Sequence, residues 1–542
     1  MVRRSFQKLA AARRACAAHV CQRSISDWCK RSLVDVAAAL QSGDVTAVAL
    51  TEACIAQIEA TRSFNMFVHT DHAHALDLAR ASDKRRAEGT SLGQLDGVPV
   101  GVKDIFCMEG VPTTAASKIL EGFVSPYEST ATARMLEQGA VPVGKLNMDE
   151  FAMGGGTLYS KFGATINPWS TDLGDGAVVA GGSSGGSAAA VTAGCCYAAL
   201  GSDTGGSVRQ PAAYCGIVGL KPSYGRVSRH GMISYASSLD TPGIFTRTVA
   251  DAAVVLRAIA GPDAKDSTSL QDEVPANWCT DVLKTTEKTD LRGLRVGVPH
   301  EYLVKELPEE IVNVWDQGIA WLRDAGAQVV SVSLPTTKLC IPAYYIIACA
   351  EASSNLSRYD GVRYGHRAQH VELADTSGDQ SDALHDLYCR TRSEGFGEEV
   401  QRRMLSGTFV LSAGAVADYY ERAVVIRQRI RQDFQDVFSA QNVDVLLTPT
   451  TPSGPFRVHD EKTEEDPVGM YLNDVYTIPA NMAGIPALSV PVALTPSGDL
   501  PLGLQLMGGR REEAKLLQVA QALEQHAQFQ QHVPEHVYAG TR

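Results

Sequence analysis

The sequence predicts an α/β protein with a large mixed, twisted sheet covered by helices on both faces. Helical and strand-like patterns alternate along the chain, as in residues 131–147, where ATARMLEQGA has helical apolar spacing and VPVGKLN is typical of a strand. The strand-like segments are short and almost wholly apolar, as expected for strands buried on both faces. This alternation favours a mixed sheet layered with helices.

Local patterns predict the individual elements. Residues 32–60 have apolar side chains at helical spacing, and Gly43 divides them into two helices. Residues 96–106 (DGVPVGVKDIF) indicate a buried strand that leads into a turn at Lys103, and AAAVTAGCCYAAL at 188–200 indicates a tightly packed helix. Further buried strands are predicted at 294–299 and 444–450, each after a helical stretch, and polar surface segments at 262–292, 370–383 and 456–468.

The composition is that of an ordinary soluble globular protein, with 44% apolar and 20% charged residues in a chain of 542. No run of about 18 bulky apolar residues occurs, so no membrane span is expected. The twelve cysteines are scattered along the chain. The adjacent Cys195 and Cys196 lie in an apolar run, which favours small core residues and a reducing compartment over a disulfide framework.

The first 26 residues differ from everything that follows. They contain six Lys or Arg and no acidic residue, with many alanines, which is typical of a mitochondrial or plastid transit peptide. A disordered basic arm that binds RNA is the alternative. The whole chain has a formal charge of −12, so residues 27–542 carry −18. A body this acidic is a poor match for the phosphate backbone of a nucleic acid.

Two Gly/Ser-rich loops bracket the apolar run, in GGSSGGSAAAVTAGCCYAALGSDTGGS at 181–207. A flexible linker would continue polar, whereas these loops enclose apolar residues. Ser183 and Ser207 can supply a serine nucleophile, and Lys103 in an apolar setting can serve as a base, since burial favours the neutral amine. The backbone N–H groups of Thr204, Gly205 and Gly206, with that of Ser207, can converge on an oxyanion.

Other chemistries lack their residues. A Ser–His–Asp triad requires a histidine near the serine loops, and the downstream candidate, His230, is predicted to pack or to make a satisfied loop contact. No motif with metal-ligand spacing occurs, so no metal site is expected. No phosphate-binding GxxxxGK[ST] loop occurs either, so no cofactor is expected in this chain.

The residues GGSSGGS and GSDTGGSVRQPA, with the upstream VKD, resemble the amidase signature family of Ser–cisSer–Lys hydrolases. The resemblance implies the amidase signature fold as a single domain over residues 27–542. It makes Ser207 the nucleophile, Ser183 the serine that relays the proton and Lys103 the general base. It also implies a cis peptide bond between Gly182 and Ser183.

Four further stretches, at 144–156, 343–365, 395–412 and 470–491, resemble one branch of that family, the glutaminase subunits of glutamyl-tRNA(Gln) amidotransferases. For glutamine, Arg403 would clamp the carboxylate and Asp474 would accept from the ammonium, with Tyr344 as a further pocket residue. Arg402 is adjacent and remains an alternative clamp.

The branch implies a heterotrimer with B and C subunits. The partner would hold the tRNA and use ATP and Mg²⁺, and the complex would lie in the mitochondrial matrix, with a plastid as the alternative. Two other functions stay open: a free-standing amidase acting on another amide, and a non-catalytic scaffold. The retention of Lys103, Ser183 and Ser207 weighs against the scaffold.

Overall fold

The computed structural model describes residues 25–275, 278, 288–369, 380–459 and 469–538. Within these residues, eleven strands form one mixed sheet in the order β1-β3-β2-β4-β6-β5-β10-β11-β9-β7-β8. The strands are β1 Phe67–His69, β2 Pro99–Lys103, β3 Val141–Leu146, β4 Ala198–Asp203, β5 Val218–Lys221, β6 Thr241–Thr246, β7 Arg295–Pro299, β8 Gln328–Val332, β9 Val445–Pro449, β10 Ala487–Leu494 and β11 Pro501–Gly508.

The sheet is parallel in two regions and antiparallel between them. Strand β2 runs parallel to both β3 and β4, and β7 runs parallel to both β8 and β9. The strands between these regions, from β4 through β6, β5, β10 and β11 to β9, pair antiparallel, as does β1 with β3. The predicted mixed sheet is therefore confirmed.

Helices cover both faces of this sheet. They are α1 Ile25–Cys29, α2 Leu33–Ser42, α3 Ala47–Ala60, α4 His72–Ala87, α5 Thr130–Glu137, α6 Gly185–Thr192, α7 Arg209–Cys215, α8 Val249–Ile259, α9 Glu309–Asp324, α10 Cys340–Leu356, α11 Gln380–Gly395, α12 Glu398–Val410, α13 Arg422–Gln435, α14 Ile478–Ala483, α15 Glu513–Ala527 and α16 Glu535–Tyr538. No helix among the described residues has the length and apolar content needed to cross a membrane.

Two hydrophobic clusters lie on opposite faces of the sheet. Along β4, Ala198 and Leu200 belong to the larger cluster and Ala199 to the smaller one. In β6, Ile244 and Phe245 divide in the same way. Because successive side chains of a strand point to opposite faces, each strand contributes to both clusters. This explains why these strands are apolar throughout.

Several predicted elements are confirmed. The stretch 32–60 forms α2 and α3, and Gly43 lies between them with a left-handed φ of +79° that favours glycine. Strand β2 ends at Lys103. Strands β7 and β9 occupy the segments predicted at 294–299 and 444–450.

The single helix predicted over residues 188–200 is wrong. Helix α6 ends at Thr192, the chain turns at Gly194 with φ +75°, and Ala198 begins β4. Cys195 and Cys196 are buried, as predicted, but in the connection before β4 rather than in a helix. Alanine and other small residues fit both helices and strands. Here residues 198–203 form a strand because they pair with β2 on one side and β6 on the other.

The predicted surface segments fare differently. Residues 262–275 contain neither helix nor strand, as predicted. The loop predicted at 370–383 is wrong from Gln380 onward, where α11 begins, and 370–379 lie outside the described residues. Residues 460–468 also lie outside them, as do residues 1–24, so the predicted basic leader stays a prediction.

Candidate active site

Adjacent strands bring the predicted triad to one edge of the sheet. Lys103 is the last residue of β2, and Ser207 follows the end of β4, which runs parallel to β2. Ser183 lies in the loop that leads into α6. Because parallel strands share the edge at which they end, the loops after β2 and β4 open at the same place, where ligands bind in open α/β sheets.

The Lys103 amine lies among three serine hydroxyls and is fully buried. Its Nζ is 2.9 Å from Ser183 Oγ, 2.7 Å from Ser184 Oγ and 2.9 Å from Ser202 Oγ. The Ser184 hydroxyl donates to the Ser202 carbonyl (3.2 Å), so its oxygen is left to accept from Lys103. A neutral amine that donates its two N–H groups to Ser184 and Ser202 directs its lone pair at Ser183.

Burial lowers the pKa of Lys103 to about 7, against the opposing pull of the carboxylates of Asp149, Asp203 and Asp240. An ordinary lysine is protonated at this pH and has no lone pair to offer. Near pH 7 a substantial fraction of Lys103 is therefore the neutral base that serine activation requires.

Exposure separates the two serines. Ser183 is completely buried beside Lys103, whereas Ser207 keeps 9% of its surface exposed. The Gly182–Ser183 peptide is cis, as the family resemblance implies. Ser183 therefore lies inside, next to the base, and Ser207 is the serine that a substrate can reach.

The loop before Ser207 has free N–H groups. Among the described residues, no hydrogen bond uses the N–H of Gly205, Gly206 or Ser207. At Gly206 φ is +153°, and a Cβ there would collide with Thr477. The Thr204 hydroxyl donates to Asp240 (2.8 Å), which fixes the start of the loop. This arrangement is compatible with the predicted oxyanion role of these groups.

A buried ion pair that the sequence reasoning missed supports the loop. Arg209 and Asp203 are both fully buried, with Nη2 to Oδ1 at 2.8 Å and Nε to Oδ2 at 3.0 Å. Asp203 also accepts from the Val208 N–H (3.1 Å). The Arg209 guanidinium donates further to the Thr477 carbonyl and to Gln505 (2.7 Å each). The segment around Ser207 is therefore held by a buried ion pair whose polar groups are all hydrogen-bonded.

Arg403 lies in an aromatic box formed by three tyrosines. It is 5% exposed, and its guanidinium faces the rings of Tyr235, Tyr345 and Tyr471 at 5.2–5.6 Å. Its Nε donates to Glu399 (2.7 Å) and its Nη1 to the Tyr235 hydroxyl (2.7 Å). Among the described residues, Nη2 has no hydrogen-bond partner and is available to a ligand.

Arg402 has different surroundings. Its side chain is 38% exposed, and it pairs with the other oxygen of Glu399. An arginine held by aromatic faces and one carboxylate is preorganised to bind a second carboxylate, whereas an exposed one is hydrated. Of the two alternatives, the geometry favours Arg403 as the carboxylate clamp.

Asp474 and Tyr344 both lie close to the loop that precedes Ser207. A Cβ on Gly206 would lie 3.0 Å from Asp474 Oδ1, and one on Gly205 would lie 2.6 Å from the Tyr344 hydroxyl oxygen. Removal of the Asp474 carboxyl group from water, followed by the charge of Asp203, raises the pKa of Asp474 to about 7. Asp474 and Tyr344 therefore lie beside the loop that carries Ser207, and the charge of Arg403 opposes the rise in the pKa of Asp474. The binding roles of these three residues stay predictions.

Two further predictions concern alternative chemistry. His230 packs against Tyr127 with ring centroids 5.7 Å apart, which agrees with its predicted packing role. Among the described residues, no group of three or more His, Cys, Asp or Glu side chains is placed to hold a metal ion.

A buried lysine among serine hydroxyls at the edge of a mixed sheet is the arrangement expected of a serine hydrolase that uses lysine as its base. The chain belongs to the amidase family, whose model, described as Amidase, matches residues 49–517. This confirms the predicted family.

The chain is similar both to subunits of the predicted branch and to another amidase. The A subunit of the glutamyl-tRNA(Gln) amidotransferase of Ruegeria pomeroyi is 52% identical over 505 residues, which cover 93% of this chain and 98% of that protein. The crystal structure of the corresponding protein from Thermotoga maritima has a TM-score of 0.70 at 35% identity, covering 93% of this chain and 95% of that one. Peptide amidase from Stenotrophomonas maltophilia has a TM-score of 0.76 at 29% identity, covering 92% and 97%.

Proposed function

We propose that this chain is the glutaminase subunit of a glutamyl-tRNA(Gln) amidotransferase. The observation that carries the proposal is the pairing of a Lys103–Ser183–Ser207 relay with a pocket that has a cation at one end and a carboxyl group at the other. A free amino acid with a side-chain amide presents an α-carboxylate, an α-ammonium and a scissile amide. Arg403, Asp474 and Ser207 match these three groups in turn.

The reaction follows from the site. Ser183 gives its proton to neutral Lys103 and takes the proton of Ser207, whose oxygen attacks the side-chain amide carbon. The N–H groups of residues 204–207 hold the oxyanion. The C–N bond breaks, the relay returns a proton to the leaving nitrogen, and ammonia departs. Water then hydrolyses the glutamyl ester on Ser207 to glutamate by the same relay.

The ammonia has a single use in this scheme. A partner with the role of a B subunit binds Glu-tRNA(Gln), activates it with ATP and Mg²⁺, and amidates it, and a C subunit completes the heterotrimer. The charge of −18 over residues 27–542 supports a division of labour in which the partner holds the tRNA. The acid-free basic leader at 1–26 supports a mitochondrial matrix location.

A substrate panel tests the proposal against a free-standing amidase. The complex should hydrolyse glutamine, and blocking the α-carboxylate as glutamine α-amide should raise KM by about 10- to 100-fold, because a charge-assisted hydrogen bond to Arg403 is lost. Ammonia release is the measurement. Efficient hydrolysis of peptide or apolar amides with poor hydrolysis of glutamine would instead establish the free-standing amidase.

The two adjacent arginines give a matched pair of variants. Arg403→Lys should raise KM for glutamine about 10- to 100-fold with a smaller change in kcat, because lysine cannot keep Glu399 and Tyr235 and still bind a carboxylate. Arg402→Lys should change KM less than about threefold, since its side chain is exposed. Steady-state ammonia release measures both, and the opposite order would assign the clamp to Arg402.

A further inference from the structure

The loop that carries Ser183 is held by a side chain from a distant part of the site. The Thr157 hydroxyl donates to the Gly181 carbonyl (2.8 Å) and accepts from the Gly185 N–H (3.0 Å). These two groups lie two residues before and two residues after Ser183. One hydroxyl therefore bridges both ends of the relay loop, and because Thr157 is fully buried, water does not compete for it.

Asp149 holds Thr157 in its turn. The Asp149 carboxylate accepts from the N–H groups of Thr157 (2.8 Å) and Tyr159 (3.0 Å). The N–H of Asp149 donates to the carbonyl of Ser183 itself (3.1 Å). The segment 149–159 thus contacts the relay loop at three successive points.

Gln210 connects the hydrogen-bonded unit of Thr157 and Asp149 to the segment that carries Ser207. Its side-chain oxygen accepts from the Gly182 N–H (2.9 Å), and its Nε2 donates to the Gly155 carbonyl (2.8 Å). Gln210 lies in α7, which begins two residues after Ser207. The positions of Ser183 and Ser207 are therefore fixed relative to each other through the same hydrogen-bonded unit.

The backbone at Thr157 gives an independent reason to look at its hydroxyl. Its φ is +54°, in the left-handed region that favours glycine and that β-branched residues rarely adopt. A glycine would adopt this conformation freely, and glycines fill positions 154–156 immediately before it. Thr157 therefore has a side chain at a position where the backbone conformation favours glycine. What this side chain adds is the pair of hydrogen bonds to Gly181 and Gly185.

We propose that the Thr157 hydroxyl is a positioning group for the proton relay: it holds Ser183 Oγ 2.9 Å from Lys103 Nζ, so that Ser183 can pass on the proton of Ser207. The inference rests on the proposed hydrolysis by Ser207 and extends it to a residue outside the triad. Thr157 does not touch the reacting atoms. Its effect is on the rate of Ser207 acylation and not on the pocket around Arg403 and Asp474.

Three variants in the complete complex test this. Thr157→Val keeps the shape and removes the hydroxyl, Thr157→Gly removes it and relieves the left-handed backbone, and Thr157→Ser keeps it. We expect kcat for glutamine to fall about 10- to 100-fold in the Val and Gly variants, with KM within about twofold, and the Ser variant to retain at least about a third of kcat. The acid limb of the kcat profile should stay near pH 7 in every variant, because the burial of Lys103 is unchanged.

Stability separates positioning from general damage. Thr157→Gly should unfold at a higher temperature than Thr157→Val, and yet its kcat for glutamine should be as low as that of Thr157→Val. Gln528→Gly is the matched control: it relieves a left-handed residue (φ +51°) that follows α15 and hydrogen-bonds to Glu524 and Gln531 of its own segment, and it should leave kcat unchanged. Retention of kcat within threefold in both the Val and Gly variants would overturn the proposal, as would an equal loss in Thr157→Ser.

A second readout does not depend on glutamine. The rate at which a fluorophosphonate labels Ser207 reports the activation of that serine by the relay, without the amino-acid pocket. We expect the Val and Gly variants to be labelled about 10-fold or more slowly, and Thr157→Ser at close to the wild-type rate. A wild-type complex that is labelled but does not hydrolyse glutamine would refute the glutaminase function alone, whereas labelling that is insensitive to Thr157 would refute this inference alone.

Discussion

Ser207→Ala is expected to abolish glutamine-dependent amidation of Glu-tRNA(Gln), with a loss of at least about 10⁴-fold in ammonia release. Alanine has no nucleophile, and Ser183 cannot replace Ser207, because Ser183 is completely buried against Lys103 whereas Ser207 keeps part of its surface exposed. The residual rate reports the oxyanion donors and substrate binding alone.

Ammonium salt distinguishes loss of the nucleophile from loss of the complex. In our proposal the partner uses ammonia whatever its source, so the Ser207→Ala complex should amidate Glu-tRNA(Gln) from ammonium at close to the wild-type rate. Ser187→Ala is the matched control, because Ser187 is buried in the same Gly/Ser motif but only donates to the Leu200 carbonyl (2.9 Å). It should retain glutaminase activity within about threefold. Glutaminase activity that survives Ser207→Ala would remove Ser207 from the mechanism.

The proximity of Lys103 and Ser183 could be predicted from the sequence because its signals are short and continuous. Two Gly/Ser-rich loops flank an apolar run, and Lys103 ends a strand that is visible from its apolar residues. The cis Gly182–Ser183 bond also lies where the family resemblance implies. The binding roles of Arg403, Asp474 and Tyr344 stay predictions.

The rest of the site is assembled from distant segments and could not be predicted in this way. The box around Arg403 combines Tyr235, Tyr345, Glu399 and Tyr471, and no pattern in the sequence links their positions. The contact of Thr157 with the Ser183 loop could not be predicted either, because a threonine after three glycines is typical of an ordinary turn. A left-handed φ at a β-branched residue is a property of the folded backbone alone.

The error over residues 188–200 has a related cause. Alanine, cysteine and glycine have little preference that packing cannot override, so a run of them does not define one element. Gly194 was the available signal, since a glycine within an apolar run marks a place where a helix can end. In the structure, a Cβ at Gly194 would lie 2.6 Å from the Cys29 carbonyl oxygen, so no other residue fits that turn.

Lys103→Met should lower kcat by about 10²- to 10⁴-fold, the range expected when a general base is removed. In the wild type, kcat should rise with pH through about 7, as Lys103 loses its proton and becomes able to accept the one from Ser183. The acid limb should be absent in the Met variant, whose residual rate has no lysine to titrate. Rate profiles from pH 5.5 to 9 measure both effects, and an unchanged limb in Lys103→Met would assign it to another group, with Asp474 the first candidate.

Lys103→Met should also raise the stability of the folded protein, because burying the charged Lys103 amine costs free energy. Its pKa is about 7 when folded and 10.5 in the unfolded chain, so between these values the unfolded chain binds the additional proton, and stability rises with pH. Below pH 7 the lysine is charged in both states and the whole cost of burying that charge remains. Methionine fills a similar volume and carries no charge, so the Met variant should unfold at a higher temperature at pH 7, and the gap should narrow by pH 9.5. A gap that widens with pH would mean that Lys103 is charged in the folded protein and cannot be the base.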